Sequence, residues 1–143
     1  MMKNKLDEAK ELLIQNDYTC VVIKDDVVFV SRERGVKPLL KWYEDEVDLE
    51  AGFAADKVIG KAAAYIYVLL KIKEVYACVI SRPAYEVFQK YNIAVRYDCM
   101  VDAIVNRTKT GFCPMETAVM NIDNPKTSLE AIKLCLKSLE KNS

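Results

Sequence analysis

Between positions 3 and 15 the apolar side chains fall at Leu6, Ala9, Leu12 and Leu13, the spacing of a helix that covers a core with one face. Asn16 and Asp17 end that period. Two β-branched runs follow, Thr19 to Lys24 and Val27 to Ser31, with only Asp25-Asp26 between them. A two-residue polar break between such runs predicts an antiparallel hairpin. The next segment is less regular. Gly35 supplies a turn, Pro38 suits the first turn of a helix running to about Leu49, and Gly52 closes it.

From Asp56 to Tyr91 the pattern changes to a nearly apolar helix, an apolar strand and a helix opened by proline. Asp56 is expected to cap the first of these helices. Between Ala62 and Leu70 the only polar groups are the hydroxyls of Tyr65 and Tyr67, so that helix should be buried against a sheet and a neighbour. Val75 to Ile80 shows no alternation, the mark of a central strand covered on both faces. Ser81 can cap the next helix, with Pro83 near its first position; Asn92 stops it, and Ile93 to Tyr97 forms another short strand. This rhythm implies right-handed crossovers and a parallel part of the sheet.

After Asp98 the pattern weakens. Val101 to Val105 fits a strand or one helical turn, and Asn106 to Val119 reads as a polar loop entering a short helix at Pro114. The last helix opens with Thr127 and Glu130 at capping-box spacing and turns Leu129, Ile132, Leu136 and Leu139 inward. There is no internal repeat or linker. The expectation is one α/β domain over residues 1–143: a three-layer αβα sandwich on a mixed sheet of about five strands, with an antiparallel N-terminal hairpin.

Charge and composition narrow the function. Lys plus Arg and Asp plus Glu each number 21, so there is no basic excess to displace counterions from nucleic-acid phosphates. The longest uncharged apolar run, Ala62 to Leu70, is about half of what a bilayer requires. The first residues form an amphipathic helix of both charge signs rather than a secretory signal. With five cysteines and no close pairing, this points to a reducing, cytoplasmic setting. Histidine is absent, which removes the commonest metal ligand and the commonest general base.

The order helix, hairpin, helix, strand, helix, strand resembles that of the cytidine-deaminase-like superfamily, with the helix after the hairpin as an insertion. In its active zinc enzymes, His-x-Glu opens the first central helix and Pro-Cys-x-x-Cys opens the next. Laid on this chain, the first motif falls on Lys61 to Ala63, with lysine for histidine and alanine for glutamate. The second falls on Pro83 to Val87, where Pro83 matches but Ala84 and Val87 hold the cysteine places. None of these substitutes holds zinc. The stretches SRERGVKPLL, ADKVIGKAAA, VYACVISRPAYEV and NRTKTGFCPMETAV are together similar to a small uncharacterised prokaryotic family, a domain of unknown function assigned to that superfamily without its zinc site. The resemblance implies the fold, no metal site, no cofactor and no defined activity. The tyrosines at 65, 67, 76, 85, 91 and 97 read as core or interface, and as interface they would suit a homo-oligomer contact, which is usual among deaminase relatives.

Several polar groups are candidates for chemistry. Lys61, at the degenerate motif, can neutralise a phosphate or carboxylate, or simply extend its ammonium from a packed helix to water. Asn106, Arg107, Thr108, Thr110 and Gly111 are rich in hydrogen-bond donors and lead to a helix start, a setting for an anion such as a nucleotide phosphate; the same residues also make ordinary turns. Asp56, Ser81, Arg32 and Lys37 are further candidates for the same ligand, with plain roles as caps or solvated charges. Cys113, at a helix start, is a candidate nucleophile, with Glu116 three residues on able to act as base or to cap that helix, although a buried structural cysteine is the plainer reading. Three functions follow: a protein that binds an anionic, nucleotide-like small molecule, a thiol-dependent enzyme using Cys113, and a structural or regulatory interaction module.

Overall fold

The computed structural model describes residues 4–105 and 113–141. Helix α1 (Lys5–Gln15) starts at Asn4, whose side chain accepts the Asp7 N–H at 2.8 Å. Its apolar stripe buries Leu6, Ala9 and Leu13. Strands β1 (Cys20–Lys24) and β2 (Val27–Ser31) form the expected hairpin, and Asp25 takes the left-handed conformation the tight turn demands, at φ +53°. Helix α2 (Lys37–Glu44) carries Pro38 in its first turn but stops five residues short of Leu49. The acidic run after it stays in solvent, Glu46 reverses the chain at φ +56°, and Leu49 reaches the core from an irregular segment.

The largest departure from the sequence reading is at Asp56. It caps no helix: it lies inside a strand, β3 (Phe53–Ile59). The alanines and the single aspartate hide the usual signature of a strand, yet β3 sits between β1 and β4 and is buried over much of its length. Burial on both faces outweighs the local helix preference of alanine. Helix α3 (Lys61–Leu69) therefore begins at Gly60. Strand β4 (Glu74–Ser81) and helix α4 (Arg82–Lys90) follow as expected, with Ser81 Oγ accepting the Ala84 N–H at 3.2 Å. Strand β5 extends from Ala94 to Val101, past the expected end at Tyr97. Helix α5 (Pro114–Val119) begins at Pro114. Helix α6 (Pro125–Lys141) starts two residues before Thr127, because Asn124 Oδ1 takes the N–H groups of Lys126 and Thr127 at 2.9 and 3.2 Å.

The five strands form one mixed sheet in the order β2-β1-β3-β4-β5. β1 is antiparallel to β2 and β3, whereas β3, β4 and β5 are parallel, as two strand–helix–strand crossovers require. On one face α1 packs over Val21, Ile23, Ala55 and Tyr76. On the other, α3 and α4 bury Ala54, Val75, Ala77, Tyr67 and Phe88, with α2, α5 and α6 packed against α3. α3 is thus enclosed by the sheet and four helices, which explains why its sequence has no polar face. Truncating Phe88, fully buried at its centre, removes a core aromatic of the kind worth about 3–5 kcal/mol.

Candidate functional site

The ends of β3 and β4 feed directly into α3 and α4, so two helix N-termini lie on neighbouring strands of the sheet. Ser81 satisfies the start of α4 locally. The start of α3 is different, because Gly60 has no side chain to offer. Its free N–H groups are taken by a residue from 55 positions away. Glu116, on α5, accepts the Lys61 N–H on Oε1 at 2.6 Å and the Ala62 N–H on Oε2 at 3.0 Å. A carboxylate laid across two N–H groups of a helix start satisfies orphan donors and meets the positive end of the dipole. Gly60 makes this approach feasible: a Cβ there would overlap the carboxylate, 2.7 Å from Oε2.

The Lys61 side chain donates to the Met120 carbonyl at 2.9 Å. Tyr65 donates to the Ile122 carbonyl at 2.7 Å and Lys90 to that of Asp123 at 3.2 Å. α5 and the segment after it are therefore fastened to α3 and α4 at several points along their length. Burial pushes the Glu116 carboxyl up from its ordinary pKa, while the Ala62 and Lys61 N–H groups and the Lys61 charge pull it back. Around this point the positions aligned with the deaminase motifs, Ala63, Ala84 and Val87, are all buried. Among the described residues no three His, Cys, Asp or Glu side chains gather in a way that could hold a metal ion.

A second polar group lies deeper. Asp56 is 8 % exposed and receives the Tyr67 hydroxyl on Oδ2 at 2.7 Å and the Val58 N–H on Oδ1 at 3.3 Å. Cys20, its cross-strand neighbour on β1, stands 3.2 Å from the same hydroxyl. Burial raises the Asp56 pKa to about 7, with the hydroxyl and the backbone N–H groups opposing it. Burial likewise pushes the Cys20 thiol and the Tyr67 phenol well up. The neutral forms are therefore favoured throughout this trio.

The other sequence candidates are scattered. Arg32 reaches the Asn16 carbonyl at 3.3 Å and lies over the Tyr18 ring. Lys37 lines an open hollow between α2 and α6. A second open hollow, of about 500 Å³, lies beside Tyr43, Leu49, Leu70 and Lys133, away from the start of α3. Cys113 sits at the start of α5 close to Cys135, whose thiol is pushed up by burial and then by Cys113 itself. Both Glu116 oxygens are engaged by α3 rather than turned to that thiol. Asn106, Arg107, Thr108, Thr110 and Gly111 lie outside the described residues. The structure thus brings Lys61 and Glu116 together, and sequence reasoning left out Gly60, Ala62 and Tyr67. Gly60 was the available signal: a glycine before an apolar helix leaves its first turn in need of an acceptor from elsewhere.

The sequence profile of the family described as "Domain of unknown function (DUF1893)" matches residues 8–136. The chain belongs to this family. A solved structure of a DUF1893 family protein from Thermotoga maritima aligns with a TM-score of 0.83 at 28% identity, over 96% of this chain and 92% of that one. A diaminohydroxyphosphoribosylaminopyrimidine deaminase/5-amino-6-(5-phosphoribosylamino)uracil reductase from Thermotoga maritima aligns over 66% of this chain and 35% of its own at 15% identity. Its TM-score of 0.42 is too low to carry an argument. No curated protein matches the chain. Membership of the DUF1893 family brings an architecture without a stated activity. No helix among the described residues is long and apolar enough to cross a membrane.

Proposed function

We propose that this protein binds an anionic, nucleotide-like small molecule at the start of α3 without zinc chemistry, and that Glu116 holds the anion position when the ligand is absent. The observation that carries this reading is the pair of N–H groups, Lys61 and Ala62, converging on one carboxylate at 2.6 and 3.0 Å. Donors that accept a carboxylate in this geometry also accept a phosphate oxygen, and the helix dipole favours either. Glu116 is a good stand-in because burial makes its charge costly, so its release to solvent on ligand binding recovers hydration. Lys61 adds a mobile positive charge once its bond to the Met120 carbonyl is released. Asn106, Arg107, Thr108, Thr110 and Gly111 enter through their donors and their place in the sequence, just ahead of the helix that carries Glu116. Its five cysteines carry no disulfide, in keeping with a reducing, cytoplasmic setting.

A thermal-shift panel of nucleotides and nucleotide sugars tests the reading. A ligand at a hundred-fold excess over its dissociation constant adds about 2.7 kcal/mol of stability, and the Glu116→Gln variant is expected to respond at lower ligand concentration than the wild type. Failure of every anionic ligand to stabilise either protein rejects it.

A further inference from the structure

The two edges of the sheet differ in how they meet solvent. β5 carries Arg96 and Asp98 in mid-strand, engaged by Asp7 at 2.8 Å and by the Tyr76 hydroxyl, and charges in an edge strand discourage pairing with another chain. β2 has no such guard. Its residues VVFVS contain no charge and no proline, and Val27, Val28 and Val30 are 54, 46 and 40 % exposed. The tight turn makes Lys24 and Val27 the closing pair of the hairpin. Val27, Phe29 and Ser31 then direct their backbone groups to β1, and Val28 and Val30 direct theirs outward. The charges flank the strand with opposite signs: Asp26 before it and Arg32 after it, both exposed.

We infer that β2 is the contact edge for a second copy of this chain, joined antiparallel about a two-fold axis through Phe29. That register sets Val28 against the partner's Val30 in a hydrogen-bonded pair and Asp26 against the partner's Arg32, each twice by symmetry. An antiparallel edge is self-complementary by construction, as a two-fold interface must be. The minus–apolar–plus order of Asp26, Val27 to Ser31 and Arg32 selects this orientation, since a parallel pairing would set like charges side by side. The five-stranded sheet becomes a continuous ten-stranded one, and α1 of each copy lies on the same side of it as Val28 and Val30.

Sedimentation equilibrium of the full chain at low salt, with circular dichroism to confirm folding, tests this. A concentration-dependent dimer is expected. Asp26→Arg and Arg32→Asp should each weaken it by at least about tenfold, or roughly 1.4 kcal/mol. The double variant should regain most of the affinity, because the swapped charges meet again across the axis. Val30→Pro removes an outward N–H at an edge where proline is tolerated, and should give a folded monomer. A wild type that is monomeric at every concentration overturns the inference. So does a dimer indifferent to the single charge changes, or one that the double variant fails to restore.

Discussion

Asp56, buried, and Glu116, half-buried, are two carboxylates that meet the same helix, and they are held in opposite ways. Asp56 faces the interior of α3 with one hydroxyl, one long backbone bond and a thiol for company. Glu116 faces the first turn of α3, with two helix N–H groups and the Lys61 charge nearby. Burial raises both, but at Asp56 it carries the pKa to about 7 and the neutral acid is the comfortable form. At Glu116 the two N–H groups of the helix start and the Lys61 charge oppose that rise. The difference separates a carboxyl that serves packing from one whose place suits an exchangeable anion.

The largest expected effect is at Asp56. Its pKa is about 7 in the folded chain and near the ordinary 3.8 in the unfolded one. Its contribution to stability is therefore complete below about pH 4 and is lost as pH rises from there through 7, a change on the order of 4 kcal/mol. Asp56→Asn keeps an acceptor for Tyr67 without the charge. Denaturant unfolding from pH 5 to 8.5 should show the variant gaining on the wild type as pH rises, and parallel curves would refute this. Tyr67→Phe comes next. It removes the hydroxyl donor from a buried carboxyl, and should cost about 1–3 kcal/mol, more at pH 8 than at pH 5.

Effects at the other carboxylate are smaller. Glu116→Ala should lower stability by about 1 kcal/mol, the scale of a lost helix cap. Gly60→Ala should cost a similar amount in the wild type and almost nothing beside Glu116→Ala, because the three atoms nearest the added methyl group all belong to that carboxylate. The double-mutant cycle in urea reads this directly. Additive costs would show that Gly60 is needed for some other reason.

The same contrast explains what the sequence could reveal. The hairpin, β4, α4 and the start of α5 were legible because local rules decide them: an acidic two-residue turn, an unbroken apolar run, a Ser-x-Pro helix start and a proline. β3 was not. Ala54, Ala55 and Asp56 favour a helix start locally, and only the flanking strands make them a strand. Glu116 was legible as an ionisable group near a helix start, but the helix it caps lies 55 residues back. No periodicity announces a contact of that span. Tyr67 read as core, which it is, while its hydroxyl's partner depended on a strand that was not foreseen.

The central claim, that Glu116 occupies an anion position at the start of α3, is tested most directly by the amide resonances of Lys61 and Ala62. Wild-type and Glu116→Gln proteins would be titrated with a nucleoside diphosphate at pH 7.5 and followed by nuclear magnetic resonance. These two amides are expected to lead the response in both proteins, with binding about tenfold tighter in the variant, a gain of roughly 1.4 kcal/mol. Unmoved Lys61 and Ala62 amides, or equal affinity in the two proteins, would contradict it.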